Sequence, residues 1–82
     1  MKKVITRDVA HHWRYSEAAC NHSAQFWTDG HYIYSYELPI GYTRGDGEKV
    51  ALDYTSAGSK GFKSITTSKH VGYTKNRATI IE

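Results

Sequence analysis

The last third of the chain carries positive charge without any acid. No carboxylate lies between Asp53 and Glu82, and the net charge of the whole chain is +3. Six residues of this interval are cationic or can become so: Lys60, Lys63, Lys69, His70, Lys75 and Arg77. Charge of one sign is typical of a surface that meets an anionic partner, although a solvated face that only keeps the protein dispersed is the alternative. We predict a basic binding patch formed by these residues.

Four aromatic residues alternate along the first half of the chain in a pattern that suits a strand. Trp27, Tyr32, Tyr34 and Tyr36 fall on one face of a predicted hairpin, because successive side chains of a strand point to opposite faces. On an open sheet such rings can stack on unpaired bases while the basic patch contacts phosphates. The alternative is that they form a core face beneath a helix that carries Trp13, since aromatic residues usually pack.

The spacing of the possible nucleophiles and bases favours no enzyme. His70 follows Thr67 and Ser68, and two histidines with a lysine could cleave RNA. No carboxylate lies near His70 in the sequence to orient its ring. Thr67 and Ser68 are better explained as the end of a strand and the cap of a helix.

The cysteine and the histidines give no metal-binding pattern. Cys20 and His22 are close together, with His11, His12 and His31 nearby, but the chain has no CxxC or HxxxH spacing. Cys20 is better explained as a small buried apolar residue. We therefore predict no metal site and no cofactor.

The elements that must position these residues begin with a hairpin. Asp29 and Gly30 separate two strand-like runs, which predicts a type I′ turn. In that register Trp27 lies opposite Tyr32. The aromatic residues then share one face, and the opposite face carries Ala24, Phe26 and Ile33.

The rest of the pattern predicts a helix near each end of the chain and several short strands. Thr6 would cap a helix over residues 7–18, and Thr67 or Ser68 would cap a short helix that runs to about Arg77. Further strands are predicted over residues 40–43, 49–55, 62–66 and 78–81, the last as an edge strand that would allow a homodimer. The expected fold is α+β: one domain over residues 1–82, with a small antiparallel sheet of about four to five strands, an N-terminal helix and a short C-terminal helix.

Length and cysteine content suggest the compartment. The chain has 82 residues and a single cysteine, whereas a secreted domain of this size usually carries several disulfides. No run of apolar residues is long enough to predict a membrane span, and the basic N-terminus is not followed by the apolar segment of a signal peptide. These features favour a cytoplasmic location.

Several short segments resemble a family of small uncharacterised proteins from phages, plasmids and archaea. The resemblance rests on the segments IYSY at residues 33–36, PI at 39–40 and SITTSKH at 64–70, on RDVAHHW at 7–13, and on the Asp29-Gly30 turn. The sequence departs from the family at Glu37-Leu38 and in the loops over residues 44–48 and 56–61, which look longer than usual. The resemblance implies a viral or mobile-element origin and a compact α+β fold, and it implies no activity. If a phage encodes the chain, the expected cytoplasm is that of the host.

Three functions are compatible with these observations. The first is a nonenzymatic binding module that docks on a host protein or ribonucleoprotein as an inhibitor, in the manner of anti-defence proteins such as anti-CRISPRs. The second is direct binding of DNA or RNA by the basic patch and the sheet aromatics. The third is a small nuclease or metal-dependent enzyme. The missing catalytic motif and the one-sided charge favour the first.

Overall fold

The chain folds as a seven-stranded sheet with both helices on one side of it. A computed structural model describes residues 1–82. The helices are α1 (Thr6–Arg14) and α2 (Ile65–Arg77), and neither is long and apolar enough to cross a bilayer. The strands are β1 (Lys2–Lys3), β2 (Ala18–Cys20), β3 (Phe26–Asp29), β4 (Tyr32–Ser35), β5 (Leu38–Thr43), β6 (Lys49–Ala51) and β7 (Ile80–Ile81).

The strands lie side by side in chain order. Strands β2 to β6 form an antiparallel meander, whereas β1 pairs with β2 and β6 pairs with β7 in parallel. Each parallel pair is joined through a helix, because parallel neighbours need a crossover connection. The α+β prediction is confirmed. The predicted four to five antiparallel strands are corrected to seven strands of mixed direction, because the sequence does not predict β1 or β2, and because β1 and β7 pair with their neighbours in parallel.

The core lies between the helices and one face of the sheet, which we call the inner face. Val9, Ala10 and Trp13 of α1 and Val71 of α2 pack against apolar side chains of the central strands, namely Phe26, Ile33 and Ile40. Gly41 allows the close approach of Trp13, because an added Cβ would lie 2.7 Å from Ile33 and 3.1 Å from the indole. The opposite side of the sheet, the outer face, bears no helix.

The hairpin forms with a register two residues away from the predicted one. Trp27 pairs with Tyr34, and Gly30 with His31 makes the turn. The Asp29 Oδ1 atom accepts the backbone N–H groups of His31 and Tyr32 at 2.9 and 2.8 Å, so Asp29 precedes the turn as its hydrogen-bonding residue. Of the two residues expected to have positive φ in a type I′ turn, only Gly30 does, at +96°. A two-residue shift keeps every side chain on its predicted face.

A buried lysine fixes the hairpin turn to the end of α1 and to β6. The Lys49 Nζ donates to Thr43 Oγ1 at 2.7 Å, to Ser16 Oγ at 3.0 Å and to the Gly30 carbonyl at 3.4 Å. It also lies 5.5 Å from the centre of the Trp13 ring. Burial lowers the pKa of this amine, and the nearby charge of Arg14 lowers it further. No carboxylate pairs with Lys49, so neutral oxygens and the aromatic ring take the place of a counterion.

Several predicted boundaries are corrected by local hydrogen bonding. Helix α1 ends at Arg14 rather than 18, and the Thr6 hydroxyl accepts from the Asn21 amide instead of capping the helix. Helix α2 begins at Ile65 because the Ser64 hydroxyl accepts the N–H of Thr67. Because α2 begins at Ile65, the predicted strand over residues 62–66 does not form. Strand β6 ends at Ala51, short of the predicted residue 55, and the last strand is confined to residues 80–81.

Candidate binding surfaces

The outer face of the sheet carries a continuous group of aromatic and apolar side chains. Two rows cross the strands on this side. The first row contains Cys20, Trp27, Tyr34 and Pro39, and the second contains Tyr32, Tyr42, Val50 and Ile80. Cys20 and Val50 are buried, whereas the four aromatic side chains remain partly or largely accessible. Cys20 therefore has the burial that the sequence predicts.

Trp27 and Tyr34 form the centre of the outer face. Their rings stack with centroids 4.0 Å apart and planes at 11°, and the Tyr32 ring lies 6.0 Å from that of Tyr34. The indole N–H of Trp27 donates to the Tyr36 carbonyl at 2.8 Å. Tyr32 is 41% exposed. The alternative that these rings form a core face beneath the helix of Trp13 is therefore wrong, because α1 and α2 both pack on the inner face.

Tyr36 does not belong to the outer face, contrary to the prediction. It follows β4 in a turn with φ of +57°, which breaks the alternation of the strand. Its ring lies 6.3 Å from that of His70, on the inner side of the sheet. Tyr42 takes its place on the outer face, where it pairs with Tyr32. Alternation along the predicted strand 40–43 would place Tyr42 on the same face as the buried Ile40. A bulge in β5 at Ile40 puts the two residues on opposite faces, and the sequence gives no signal for that bulge.

The outer face carries little net charge. Partial burial raises the pKa of Tyr34, and Asp29 and Tyr32 raise it further. Partial burial and the Glu82 carboxylate, which accepts from the Tyr42 hydroxyl at 3.3 Å, raise the pKa of Tyr42. Both tyrosines are neutral at physiological pH, so apolar surface dominates this face.

The cations of the predicted basic patch lie away from the outer face, and one of them is paired with an acid. Lys69, Lys75 and Arg77 lie on α2, in the helix layer and therefore on the opposite side of the sheet from the outer face. Lys75 is paired with Asp53 at 2.9 Å. Lys60 and Lys63 lie in the connection between β6 and α2, and the Lys63 amine is 5.6 Å from the centre of the Tyr54 ring. The structure therefore does not bring the cations and the stacked aromatics together.

His70 lies in the interior and is not part of an exposed basic patch. Its ring stacks on Phe26 with centroids 4.5 Å apart and planes at 3°. The Nδ1 atom lies 2.7 Å from the Ser35 hydroxyl, which also lies 3.0 Å from that of Thr67. Burial lowers the pKa of His70, so the neutral ring is favoured. The assignment of His70 as a phosphate contact is corrected for this reason.

The pairing of Ser35 with His70 resembles a nucleophile beside a base but lacks the rest of a catalytic site. Sequence reasoning missed Ser35 and considered Thr67 and Ser68 instead. Ser35 is 0% exposed, so a substrate has no path to its hydroxyl in this conformation. No carboxylate contacts His70 to orient the ring. The arrangement can satisfy buried polar groups and anchor α2 to β4.

The titratable side chains form no metal centre. No group of three or more His, Cys, Asp or Glu side chains converges in the structure. The closest contact of this kind is between the His12 Nδ1 and the Glu17 carboxylate, at 2.8 Å near the end of α1. Two groups alone do not supply the ligand set of a structural zinc site.

Comparison of the chain with protein-family models, with curated proteins and with solved structures finds no match. The resemblance to phage, plasmid and archaeal proteins therefore stays a prediction from the segments quoted above.

Proposed function

We propose that this protein is a nonenzymatic binding module that docks on another protein through the outer face of its sheet. The observation that carries the proposal is the uncovered aromatic group formed by Trp27, Tyr32, Tyr34 and Tyr42. The solvated face of an antiparallel sheet is normally polar, so a continuous aromatic face needs an explanation. Tyrosine and tryptophan are also enriched at the centres of protein interfaces.

The charge distribution favours a protein over a nucleic acid at this face. Affinity for nucleic acid depends on cations that neutralise phosphates. The cations of α2 lie on the other side of the sheet, and Asp29 and Glu82 lie beside the outer tyrosines. Arg44, the cation whose charge acts on Tyr42, is paired with Asp46. Trp27 and Tyr34 already stack on each other, so each ring has one face occupied. An apolar protein surface fits this arrangement better than a strand of bases.

We further propose that the partner belongs to the host cell. The resemblance to phage and plasmid proteins points to a host protein or a ribonucleoprotein, with inhibition of a host defence as the expected consequence. This function requires no catalytic residue of the chain itself. It also fits the buried position of the Ser35–His70 pair, which serves the fold.

Site-specific photocrosslinking tests the docking face. A benzoylphenylalanine placed at Tyr32, on the outer face, is compared with the same group at Tyr15, which is 64% exposed beyond the end of α1. After irradiation in host lysate, we expect one protein adduct of defined mass from position 32 and none from position 15. Treatment of the lysate with nuclease separates a protein partner from one held through RNA or DNA.

Competition with unlabelled protein provides the matched control, and Tyr42→Ser is the variant that alters the outer face. Unlabelled wild-type protein should suppress the adduct at position 32, and unlabelled Tyr42→Ser should suppress it much less. The variant Tyr15→Ser should compete as well as the wild type. Equal adducts from both positions, an adduct only between copies of this chain, or equal competition by Tyr42→Ser would overturn the proposal.

A further inference from the structure

A shallow, open groove runs along the exposed side of α2 and belongs to neither the outer face nor the core. Its volume is about 620 Å³, within the usual range of ligand sites. It is lined by Thr55, Lys69, Gly72, Tyr73, Lys75 and Asn76. No carboxylate lines it. We propose that this groove binds nucleotide units of a single-stranded nucleic acid.

The glycine in the groove has no structural explanation. Gly72 lies in the interior of α2, where glycine costs about 1 kcal/mol relative to alanine. An added Cβ would meet nothing within 4 Å, and the backbone is not in the left-handed region. Neither packing nor conformation therefore requires glycine here. Its effect is to leave the groove open beside Tyr73, as a ligand that approaches the helix closely would require.

The lining combines a ring with positive charge. Tyr73 is 36% exposed, and its inner side faces Phe26 with ring centroids 6.4 Å apart. Lys69 lies one helical turn before Tyr73, so both side chains project from the same side of α2. A base stacked on the accessible part of the Tyr73 ring would place its phosphate within reach of Lys69.

The polar groups of the groove complete this recognition. Asp53 holds the Lys75 amine at 2.9 Å and accepts the Thr55 hydroxyl at 2.6 Å, which fixes both groups in place. Since Asp53 offsets the charge of Lys75, Lys69 supplies the main phosphate contact. Asn76 carries an amide that can donate to and accept from the edge of a base.

A second depression extends the site toward the end of α2. It has a volume of about 460 Å³, shares Tyr73 and Asn76 with the first, and adds Arg7 and Arg77. Asp8 is its one carboxylate. The eight residue steps from Lys69 to Arg77 rise about 12 Å along the helix, so the two depressions form one path with a cation toward each end. A path of this kind favours a strand over a single small anion.

Fluorescence anisotropy with a labelled single-stranded RNA of ten uridines tests the proposal at low salt. The variant Gly72→Leu fills the groove from its open side, whereas Gly72→Ala adds one methyl group and serves as the matched control. We expect Gly72→Leu to weaken binding at least about tenfold, a loss of about 1.4 kcal/mol, with Gly72→Ala close to the wild type. Thermal melting of both variants checks that α2 remains folded.

The exposed residue Lys69 gives an independent measurement. For Lys69→Gln we expect weaker binding and a salt dependence, log K against log salt, reduced by about 0.7. Tyr32→Ser on the outer face should leave RNA binding unchanged, which keeps the failure of this site distinct from the failure of the docking face. Uridine monophosphate should compete weakly, and inorganic phosphate at the same concentration more weakly still.

Three results would overturn the proposal. The first is the absence of RNA binding by the wild-type protein at low salt. The second is wild-type affinity in Gly72→Leu or Lys69→Gln, which would place any binding elsewhere. The third is competition by inorganic phosphate equal to that of the nucleotide, which would show that the groove accepts anions without recognising a base.

Discussion

The two faces of the hairpin differ in what covers them, although the same two strands supply both. Phe26, Ile33 and Ser35 point to the inner face and are completely buried by the helices. Trp27 and Tyr34 lie between them in the sequence, point to the outer face, and remain partly accessible. The larger rings are thus on the less buried side.

The aromatic side chains of the two faces therefore have different roles. Burial on the inner face explains Trp13 and Phe26 through the free energy of removing apolar surface from water. The outer rings stay partly accessible to water, so in the isolated chain they gain only part of that free energy. Their remaining accessible surface is available to a partner, and the proposed docking function rests on that surface.

The largest expected difference lies between the two tryptophans. Trp13→Ala removes a completely buried indole and should destabilise the fold by about 3–5 kcal/mol. Trp27→Ala removes a partly exposed indole and should lower the free energy of unfolding by about 1–2 kcal/mol. Urea denaturation followed by circular dichroism measures both.

Trp13→Phe is the control for the first substitution, since it keeps most of the apolar volume and loses the indole N–H that donates to the His31 carbonyl. It should be less destabilising than Trp13→Ala. Equal losses for Trp13→Ala and Trp27→Ala would contradict the distinction between the two faces, because they would show that the outer rings contribute to folding as core residues do.

The second prediction concerns the pH dependence of stability, which we expect from His70 on the inner face. Burial holds the pKa of His70 below its ordinary value of 6.5. Above pH 6.5 the ring is neutral in both the folded and the unfolded chain, so its contribution to stability is fully present. As pH falls below 6.5, the unfolded chain binds the proton first, and the contribution is lost as pH approaches the lower folded pKa.

Denaturation of wild type and His70→Phe between pH 7.5 and 4.5 measures this effect. The wild type should lose stability toward acid more steeply than His70→Phe, which retains a ring against Phe26. The variant Ser35→Ala should keep the steeper dependence, because its histidine remains buried. Identical slopes for wild type and His70→Phe would show that His70 titrates equally in both states.

The smallest expected effect is the coupling between the outer rings. A double-mutant cycle of Trp27→Ala and Tyr34→Ala should give a coupling free energy of about 0.5–1.5 kcal/mol, as stacked aromatic pairs do. A cycle of Trp27→Ala with Tyr15→Ala should give none, since Tyr15 lies beyond the end of α1. Coupling near zero in the first cycle would mean that the rings are mobile in solution.

The sequence predicted elements better than it predicted sites. The two helices, the hairpin and the α+β class follow from period and turn chemistry. The basic patch was predicted as one surface, but His70 is buried and Lys75 is paired with Asp53. Periodicity along α2 was too weak to show which of its residues face inward, because Thr67 and Thr74 are buried alongside His70.

Alternation alone determined that Trp27, Tyr32 and Tyr34 share a face. The predicted register is wrong by two residues, but the side-chain period of a strand is also two, so the assignment of these residues to one face is still correct. Only the tertiary structure decided which face the helices cover. Both crossovers, β1–α1–β2 and β6–α2–β7, place their helices on the side of Phe26 and Ile33. That choice depends on contacts between residues far apart in the chain, which local spacing does not encode.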